Sequence, residues 1–294
     1  MPVFSPAPAG TTTGAFAELA AIAGPLLPLP TLTAERYAAG HAAFEARSTQ
    51  RALLRVALTR RLAGHTGAVS VLSVGCGDGA LDAQIAQDLA APGRLVRYAG
   101  LDPHAGSAGR FLASVGAVDG VHATASVGRA ERFQPDRRFD VVLCVHALYY
   151  VDDLASTLTT LAGLLMPGGE LVIALAPRGE LNALAAALAP DLDGHRQWWS
   201  HDLADALVAA GLDAQRSTLH GRLQLADCHD RDDQTGRLVL DFAVQAELPP
   251  VLREPVLDHL VAVRLPGQGL VVDHPVDLWS VRTPGDEVVT AAVR

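Results

Sequence analysis

The chain has 294 residues, of which 49% are hydrophobic, and a formal net charge of −9. This composition excludes a disordered chain and a small disulfide-held scaffold, and the length suits two ordinary domains or one elaborated α/β domain. The acidic balance argues against a broad nucleic-acid-binding surface. All 23 basic residues are arginine, which is typical of a GC-rich bacterial genome.

The cysteines and the hydropathy pattern indicate the cellular compartment in which the protein is expected. Cys76, Cys144 and Cys228 are odd in number and match no metal-ligand spacing, so the sequence predicts a reducing cytoplasm and no metal. The longest internal apolar stretch, residues 141–151, is too short to span a bilayer. The first 17 residues lack the basic segment of a signal peptide, so no membrane association is expected.

Residues 1–33 are rich in proline, threonine and alanine and predict a flexible tail, and residues 34–65 carry helical spacing. From residue 69 short apolar runs alternate with helical patterns. The predicted strands are 69–75, 94–102, 121–126, 139–150 and 171–176, with helices at 81–90, 105–115, 154–165 and 198–211 and a turn at 166–170.

This alternation predicts an α/β fold with a parallel sheet and helices on both faces over residues 66–215. Residues 216–294 have more strand and loop character, with one helix near 249–263.

A glycine-rich loop follows the first strand. Gly75, Gly77 and Gly79 let a ligand approach the backbone at a helix N-terminus, and Asp102 ends the second strand, where an acid can accept both hydroxyls of a ribose. A plain tight turn and a helix N-cap are the structural alternatives. The G-x-G-x-G spacing departs from the dinucleotide G-x-G-x-x-G, which disfavours an NAD enzyme. The absence of lysine excludes P-loop phosphoryl transfer.

Four segments resemble the class I S-adenosylmethionine-dependent methyltransferases: LSVGCGDG (72–79), YAGLDP (98–103), FDVVLCVHALYYVDD (139–153) and LLMPGGELVIAL (164–175). The resemblance implies a Rossmann-like fold, S-adenosylmethionine as cofactor and a small-molecule substrate. It also implies a cofactor-binding set of Gly75, Cys76, Gly77, Gly79, Asp102, Pro103, Ser107, Ser126 and Val145.

A narrower resemblance is to the histamine N-methyltransferase-like family, carried by YAAGHAAFEARSTQ (37–50), HALYYVDDLASTL (146–158) and DLADALVAAGL (202–212). It implies that residues 34–65 form a lid and residues 216–294 a substrate-binding region. The family's glutamate, glutamine and asparagine contacts align with Gln50, His146 and His274. Because an amide replaces the carboxylate, the preference for a cationic amine is expected to be lost.

His146 is the first candidate for a catalytic role, since its unperturbed pKa suits proton transfer near neutrality. The alternative is a histidine that only shapes the pocket. Of the two tyrosines that follow, one is expected to face the substrate and the other to pack, because adjacent residues rarely point the same way. The family resemblance favours Tyr150 as the one that faces the substrate, which makes it the second candidate for a catalytic role.

Aromatic walls complete the predicted site. Tyr37 and His41 share one helix face and could line a lid, although a plain amphipathic helix would also explain them. Trp198 could flank an aromatic substrate, with core packing as the alternative. The sequence predicts N- or C-methylation of an indole, tryptophan-derived or other heterocyclic natural product. The alternatives are histamine-like imidazole amines, a catalytically silent cofactor-binding protein and a macromolecular substrate. Nothing in the sequence predicts the oligomeric state.

Overall fold

The computed structural model of the chain describes residues 14–64, 67–90, 93–191 and 197–284. Residues 1–13 of the predicted tail and residues 285–294 of the predicted C-terminal region lie outside this range. The chain forms two compact units. The helical unit comprises Met1–Leu53, Ala176–Ser200 and Thr218–Val276, and the sheet unit comprises Leu54–Leu175, His201–Ser217 and Asp277–Arg294.

Seven strands form one mixed sheet: β1 (Val69–Val74), β2 (Val96–Asp102), β3 (Val121–Val127), β4 (Phe139–Val145), β5 (Leu165–Leu175), β6 (Ala214–Gln224) and β7 (Val271–Arg282). Their order is β3-β2-β1-β4-β5-β7-β6. The first five strands pair in parallel, and β7 runs antiparallel to β5. The predicted parallel sheet and Rossmann-like fold are confirmed.

The helices are α1 (Gly14–Ala23), α2 (Ala34–Glu45), α3 (Gln50–Ala63), α4 (Ala80–Ala90), α5 (Ala105–Gly116), α6 (Leu154–Gly163), α7 (Leu181–Leu188), α8 (Ser200–Ala209), α9 (Gln234–Val244) and α10 (Pro250–Ala262). The helix predicted near 249–263 is confirmed as α10. The helix predicted at 198–211 is α8. It ends in a Schellman motif, in which Gly211 takes φ +68° and Leu212 donates to the carbonyl of Leu207.

The core of the sheet unit follows from the continuous apolar runs of β1 and β4. Val71, Leu72 and Leu143 are fully buried, as parallel strands covered on both faces require. The turn predicted at 166–170 is wrong, because these residues belong to β5. The pairing of β4 with β5 shifts register between Phe139 and Val141, which accommodates the glycines as an irregularity within the strand.

The helical unit has its own core, in which α1 packs against α10, and α2 and α7 pack against α9. The predicted flexible tail is wrong for the described residues 14–33, since Phe16 and Leu19 of α1 are buried. The strand and loop character expected after residue 216 is wrong for α9. That helix begins where the Asp233 carboxylate caps the amides of Thr235 and Gly236.

Candidate active site

The glycine loop after β1 has the backbone that the spacing predicts. Gly75, Gly77 and Gly79 take φ values of +65°, +57° and +72°, a region that costs other residues free energy. The amides of Gly75 and Cys76 both donate to the carbonyl of Leu101, at 2.8 and 3.2 Å. The loop is therefore fixed to the end of β2, at the point where strand order reverses between β1 and β4, which is where ligands bind in such sheets.

The three glycines differ in the space around them. A Cβ atom at Gly75 would lie 2.4 Å from the Cβ of Ala147, and one at Gly79 would lie 2.9 Å from the Cα of Phe111. A Cβ at Gly77 would meet no described atom within 4 Å. Gly75 and Gly79 thus permit close packing inside the protein, whereas Gly77 leaves its side of the loop open for a ligand.

Asp102 connects the glycine loop to the start of α5. Its carboxylate accepts the amide of Gly77 at 3.0 Å and the amide of His104 at 2.9 Å, and its side chain is buried. One carboxylate oxygen receives each bond, so both oxygens retain a lone pair for a further donor. This arrangement fits the two hydroxyls of a ribose at the end of β2. Asp102 itself precedes the N-cap of α5, which is His104.

The remaining predicted cofactor residues lie at or after the ends of the neighbouring strands. Pro103 is exposed after β2, and Ser107 lies in the first turn of α5. Ser126 is exposed near the end of β3, and the half-buried Val145 ends β4. The structure therefore brings this predicted set to one edge of the sheet unit.

Cys76 lies within the glycine loop and is buried. Burial, together with the nearby carboxylates of Asp82 and Asp102, raises the pKa of its thiol to about 12. A thiol with such a high pKa is protonated at neutral pH and is a poor nucleophile. Cys76 thus acts in this loop as a small space-filling residue.

His146 follows β4 in a strained conformation. Its φ of +52° is in the left-handed region, which is uncommon for residues other than glycine and clusters at functional sites. Its amide donates to the carbonyl of Ala174 at 3.0 Å, which holds the backbone in place. Its Nδ1 lies 2.9 Å from the hydroxyl oxygen of Tyr149, and the two rings are nearly parallel.

Sequence reasoning missed the contact of His146 with Tyr149. Tyr149 is buried and holds the histidine, whereas Tyr150 is 45% exposed and contacts Tyr149 edge to face. The missed signal is the three-residue spacing of His146 and Tyr149, whose side chains meet because His146 has left-handed backbone and Tyr149 lies in the 3₁₀ turn Leu148–Tyr150.

A second buried pair lies near Cys76 of the glycine loop. The hydroxyl of Tyr98 donates to the carboxylate of Asp82 at 2.9 Å, and both side chains are buried. Burial is the main cause that raises the pKa of Asp82 to about 6, while hydrogen bonds from Ser73 and Tyr98 oppose the shift. Sequence reasoning did not single out this pair, which joins the first turn of α4 to β2.

In the helical unit, Tyr37 and His41 form part of an aromatic cluster. Their rings are nearly parallel on α2 at 6.3 Å between centroids, and both contact the ring of Phe242 on α9. Phe44 lies one turn further along α2 and also contacts Phe242. Tyr37 is 37% exposed, so the cluster combines a packed base with an accessible edge.

Gln50 and His274 also meet inside the helical unit. The Gln50 amide nitrogen donates to the carbonyls of His274 and Pro275, at 3.0 and 3.3 Å, and only 2% of the residue is exposed. His274 Nδ1 lies 2.7 Å from the Ser48 hydroxyl, and its ring packs edge to face on Phe44. These contacts explain both residues structurally, and their role toward a substrate stays a prediction.

Trp198 is half-buried immediately before α8, and the neighbouring Trp199 is buried. Among the described residues, no group of three or more His, Cys, Asp or Glu side chains could hold a metal ion. Within the same ranges, no helix is long and apolar enough to cross a membrane.

Comparison with known proteins agrees with this geometry. A family model described as a methyltransferase domain matches residues 37–216. Histamine N-methyltransferase A of Xenopus laevis is 24% identical over 223 residues, which are 65% of this chain and 73% of that protein.

Two solved structures share the fold. The YcgJ protein of Bacillus subtilis has a TM-score of 0.53 at 17% identity, and a putative methyltransferase of Bacillus halodurans has 0.52 at 18%. Each alignment covers 78% of this chain and 98% of the other. The chain belongs to the methyltransferase domain family and is a class I S-adenosylmethionine-dependent methyltransferase.

Proposed function

We propose that the enzyme methylates a nitrogen or a ring carbon of a small nitrogen-containing aromatic molecule. Indoles, tryptophan-derived compounds and other heterocyclic natural products of bacterial specialised metabolism form this class. The observation that carries the proposal is the His146–Tyr149 pair at the end of β4. The residue next to His146, Ala147, abuts Gly75, which supports a position of the pair close to the proposed cofactor loop.

The cofactor supplies a methyl group on a sulfonium that leaves as a neutral thioether, so the protein has to bind, orient and accept a proton. In this proposal the glycine loop holds the amino-acid part and Asp102 accepts the ribose hydroxyls. Cys76, Pro103, Ser107, Ser126 and Val145 complete the wall around the cofactor.

His146 is the proposed base. When Nδ1–H donates to the oxygen of Tyr149, Nε2 carries the lone pair and can accept the proton that a ring N–H loses as the methyl bond forms. Tyr149 thus fixes the ring orientation and the tautomer of the base. The balance is one methyl gained by the substrate, one proton gained by Nε2 and one neutral thioether released.

The proposed substrate residues are those with aromatic or neutral polar side chains. In the helical unit, Tyr37 and His41 offer a stacking edge, Trp198 offers further aromatic surface, and Gln50 and His274 offer polar groups. In the sheet unit, Tyr150 offers an exposed aromatic ring. A flat, uncharged heteroaromatic ring suits such groups better than a free diamine. Residues 34–65 are the proposed lid and residues 216–294 the proposed substrate-binding region.

Histamine-like imidazole amines are the second candidate. The relative from Xenopus laevis bears the name of a histamine N-methyltransferase, which favours N-methylation of this class. The aligned glutamine at Gln50 speaks against it, because a carboxylate is the usual partner of a cationic amine.

The test is release of S-adenosylhomocysteine from methyl-labelled cofactor with a divided substrate panel. One half contains histamine and related imidazole amines, and the other contains indole, tryptophan and cyclic dipeptides of tryptophan. Turnover confined to the second half supports the proposal, and turnover confined to the first half replaces it with the second candidate. Cofactor binding without turnover on either half would contradict both and favour a catalytically silent protein.

The role of His146 is tested on the substrate that turns over. His146→Asn removes the base while keeping a residue that tolerates positive φ, and kcat should fall by about 100-fold or more. His201→Ala, an exposed histidine on α8, is the matched control and should retain full turnover. A rise in KM with unchanged kcat in His146→Asn would make His146 a shaping residue instead of a base.

A further inference from the structure

The helical unit contains a cavity of about 250 Å³ that the methyltransferase site does not use. It is lined by residues of α9, of the beginning of α10 and of the segments that precede these two helices, among them Arg231, Arg237 and Arg253. A water molecule takes about 30 Å³, so the cavity has room for an ion of several heavy atoms.

The charges that line the cavity do not cancel. Glu254 pairs with Arg231 at 2.7 Å, and Asp241 is buried and paired with Arg36, which lies outside the cavity lining. Arg237 and Arg253 have no carboxylate partner among the described residues. Two guanidinium groups therefore remain uncompensated at one cavity.

The acidic residues of the preceding loop, Asp232 included, do not line the cavity. Asp227 pairs with Arg47 at 3.2 Å, and Asp233 caps the first turn of α9. The side chain of Asp230 accepts the amide of Asp232 at 2.9 Å. None of the three lines the cavity, so the local surplus of positive charge stands despite the acidic sequence around it.

Two further features of the cavity favour binding of an anion. Arg253 donates through Nη2 to the main-chain carbonyls of Cys228 and Asp230, which holds its guanidinium in one orientation. α10 begins at Pro250 without a side-chain cap, so the partial positive charge of its N-terminus also faces the region that Pro250 and Arg253 line. A preorganised fork of N–H donors matches the oxygens of an oxyanion.

We propose that this cavity binds a small oxyanion, as a free ion or as the phosphate or carboxylate group of a larger ligand. Arg237 and Arg253 are its main partners, while Arg231 keeps Glu254 paired at the same cavity. The site lies within the helical unit, and its existence does not depend on the proposed substrate class.

The test is thermal unfolding and calorimetric titration of the full chain with inorganic phosphate or succinate at constant ionic strength, with sodium chloride as reference. We expect phosphate or succinate to raise the melting temperature above the chloride reference. A larger effect of phosphate assigns a phosphate-bearing ligand, and an equal or larger effect of succinate assigns a carboxylate. No response to either anion would overturn the proposal.

Variants localise the effect. Arg237→Glu places a negative charge at an exposed position and should weaken anion binding by about tenfold or more, as should Arg253→Gln. Arg60→Ala is the control, because Arg60 is also exposed on a helix and does not line the cavity. Since Arg253 also anchors two carbonyls, Arg237→Glu decides the question if Arg253→Gln does not fold. Equal binding by Arg237→Glu and the unaltered protein, or equal weakening in Arg60→Ala, would refute the site.

Discussion

Substitution of Gly75 by alanine isolates the packing role of the glycine loop. Two costs add at this position. An alanine at φ +65° loses about 1–2 kcal/mol relative to glycine. Its Cβ would also lie 2.4 Å from that of Ala147, and overpacking of this kind costs about 1–3 kcal/mol. We expect Gly75→Ala to lower the free energy of unfolding by about 2–5 kcal/mol.

Gly77→Ala is the matched control, since Gly77 also has positive φ but no described atom within 4 Å of the added Cβ. It should lose only about 1–2 kcal/mol of stability. Its Cβ occupies the open side of the loop, so it should weaken cofactor affinity more than its small effect on stability suggests.

Urea unfolding followed by circular dichroism measures the first quantity, and titration with S-adenosylhomocysteine measures the second. The double variant Gly75→Ala, Ala147→Gly removes the clash and should recover about 1–3 kcal/mol of the loss, less the smaller cost of a new glycine. Equal stabilities for the two single variants, or no recovery in the double variant, would refute the packing argument.

Three further predictions concern ionisable groups. Asp102→Asn should weaken cofactor affinity by about tenfold or more in the same titration, because its NH2 group would face the N–H of either Gly77 or His104 and a ribose would meet one acceptor fewer. Unchanged affinity would exclude that role. Asp82 has a pKa of about 6 in the folded protein, raised from 3.8, so its contribution to stability is present below pH 3.8 and is lost as the pH rises through 6. Across this range the free energy of unfolding should fall by up to about 3 kcal/mol in the unaltered protein. Asp82→Asn should lack this decrease. Burial lowers the pKa of His259, so neutral His259 contributes fully to stability above the ordinary pKa of 6.5, and this contribution is lost as the pH falls below that value. His259→Gln retains a donor for the Glu180 carbonyl and should therefore lose less stability than the unaltered protein between pH 7 and 5. Identical dependence of stability on pH in the two proteins would contradict a lowered pKa of His259.

The sequence predicts the sheet unit well because its signals are local. β1 and β4 are continuous apolar runs, and the glycine loop and Asp102 lie at strand ends, where parallel topology brings them together. The helical unit is harder to predict, because Phe16 of α1 is buried by contacts with residues more than two hundred positions away, such as His259 of α10.

Two contacts at the candidate site could not be predicted from the sequence, because they too depend on the three-dimensional arrangement. The pairing of His146 with Tyr149 depends on the positive φ of His146, and such a φ is uncommon for residues other than glycine, so the sequence does not predict the contact. Gln50 aligns with a substrate contact of the resembling family, yet its amide nitrogen meets carbonyls that follow it by more than two hundred residues. Only the three-dimensional arrangement shows that backbone groups account for this side chain.

The antiparallel strand β7 has a consequence for biosynthesis. β5 is almost wholly apolar and buried between Leu171 and Leu175, and one of its edges is covered only when residues 277–282 pair with it. A nascent chain that has completed the five parallel strands therefore still presents an unpaired apolar edge, which is a template for association with other chains. Aggregation of the nascent chain should therefore increase when β7 is translated slowly, because the edge of β5 then stays unpaired for longer.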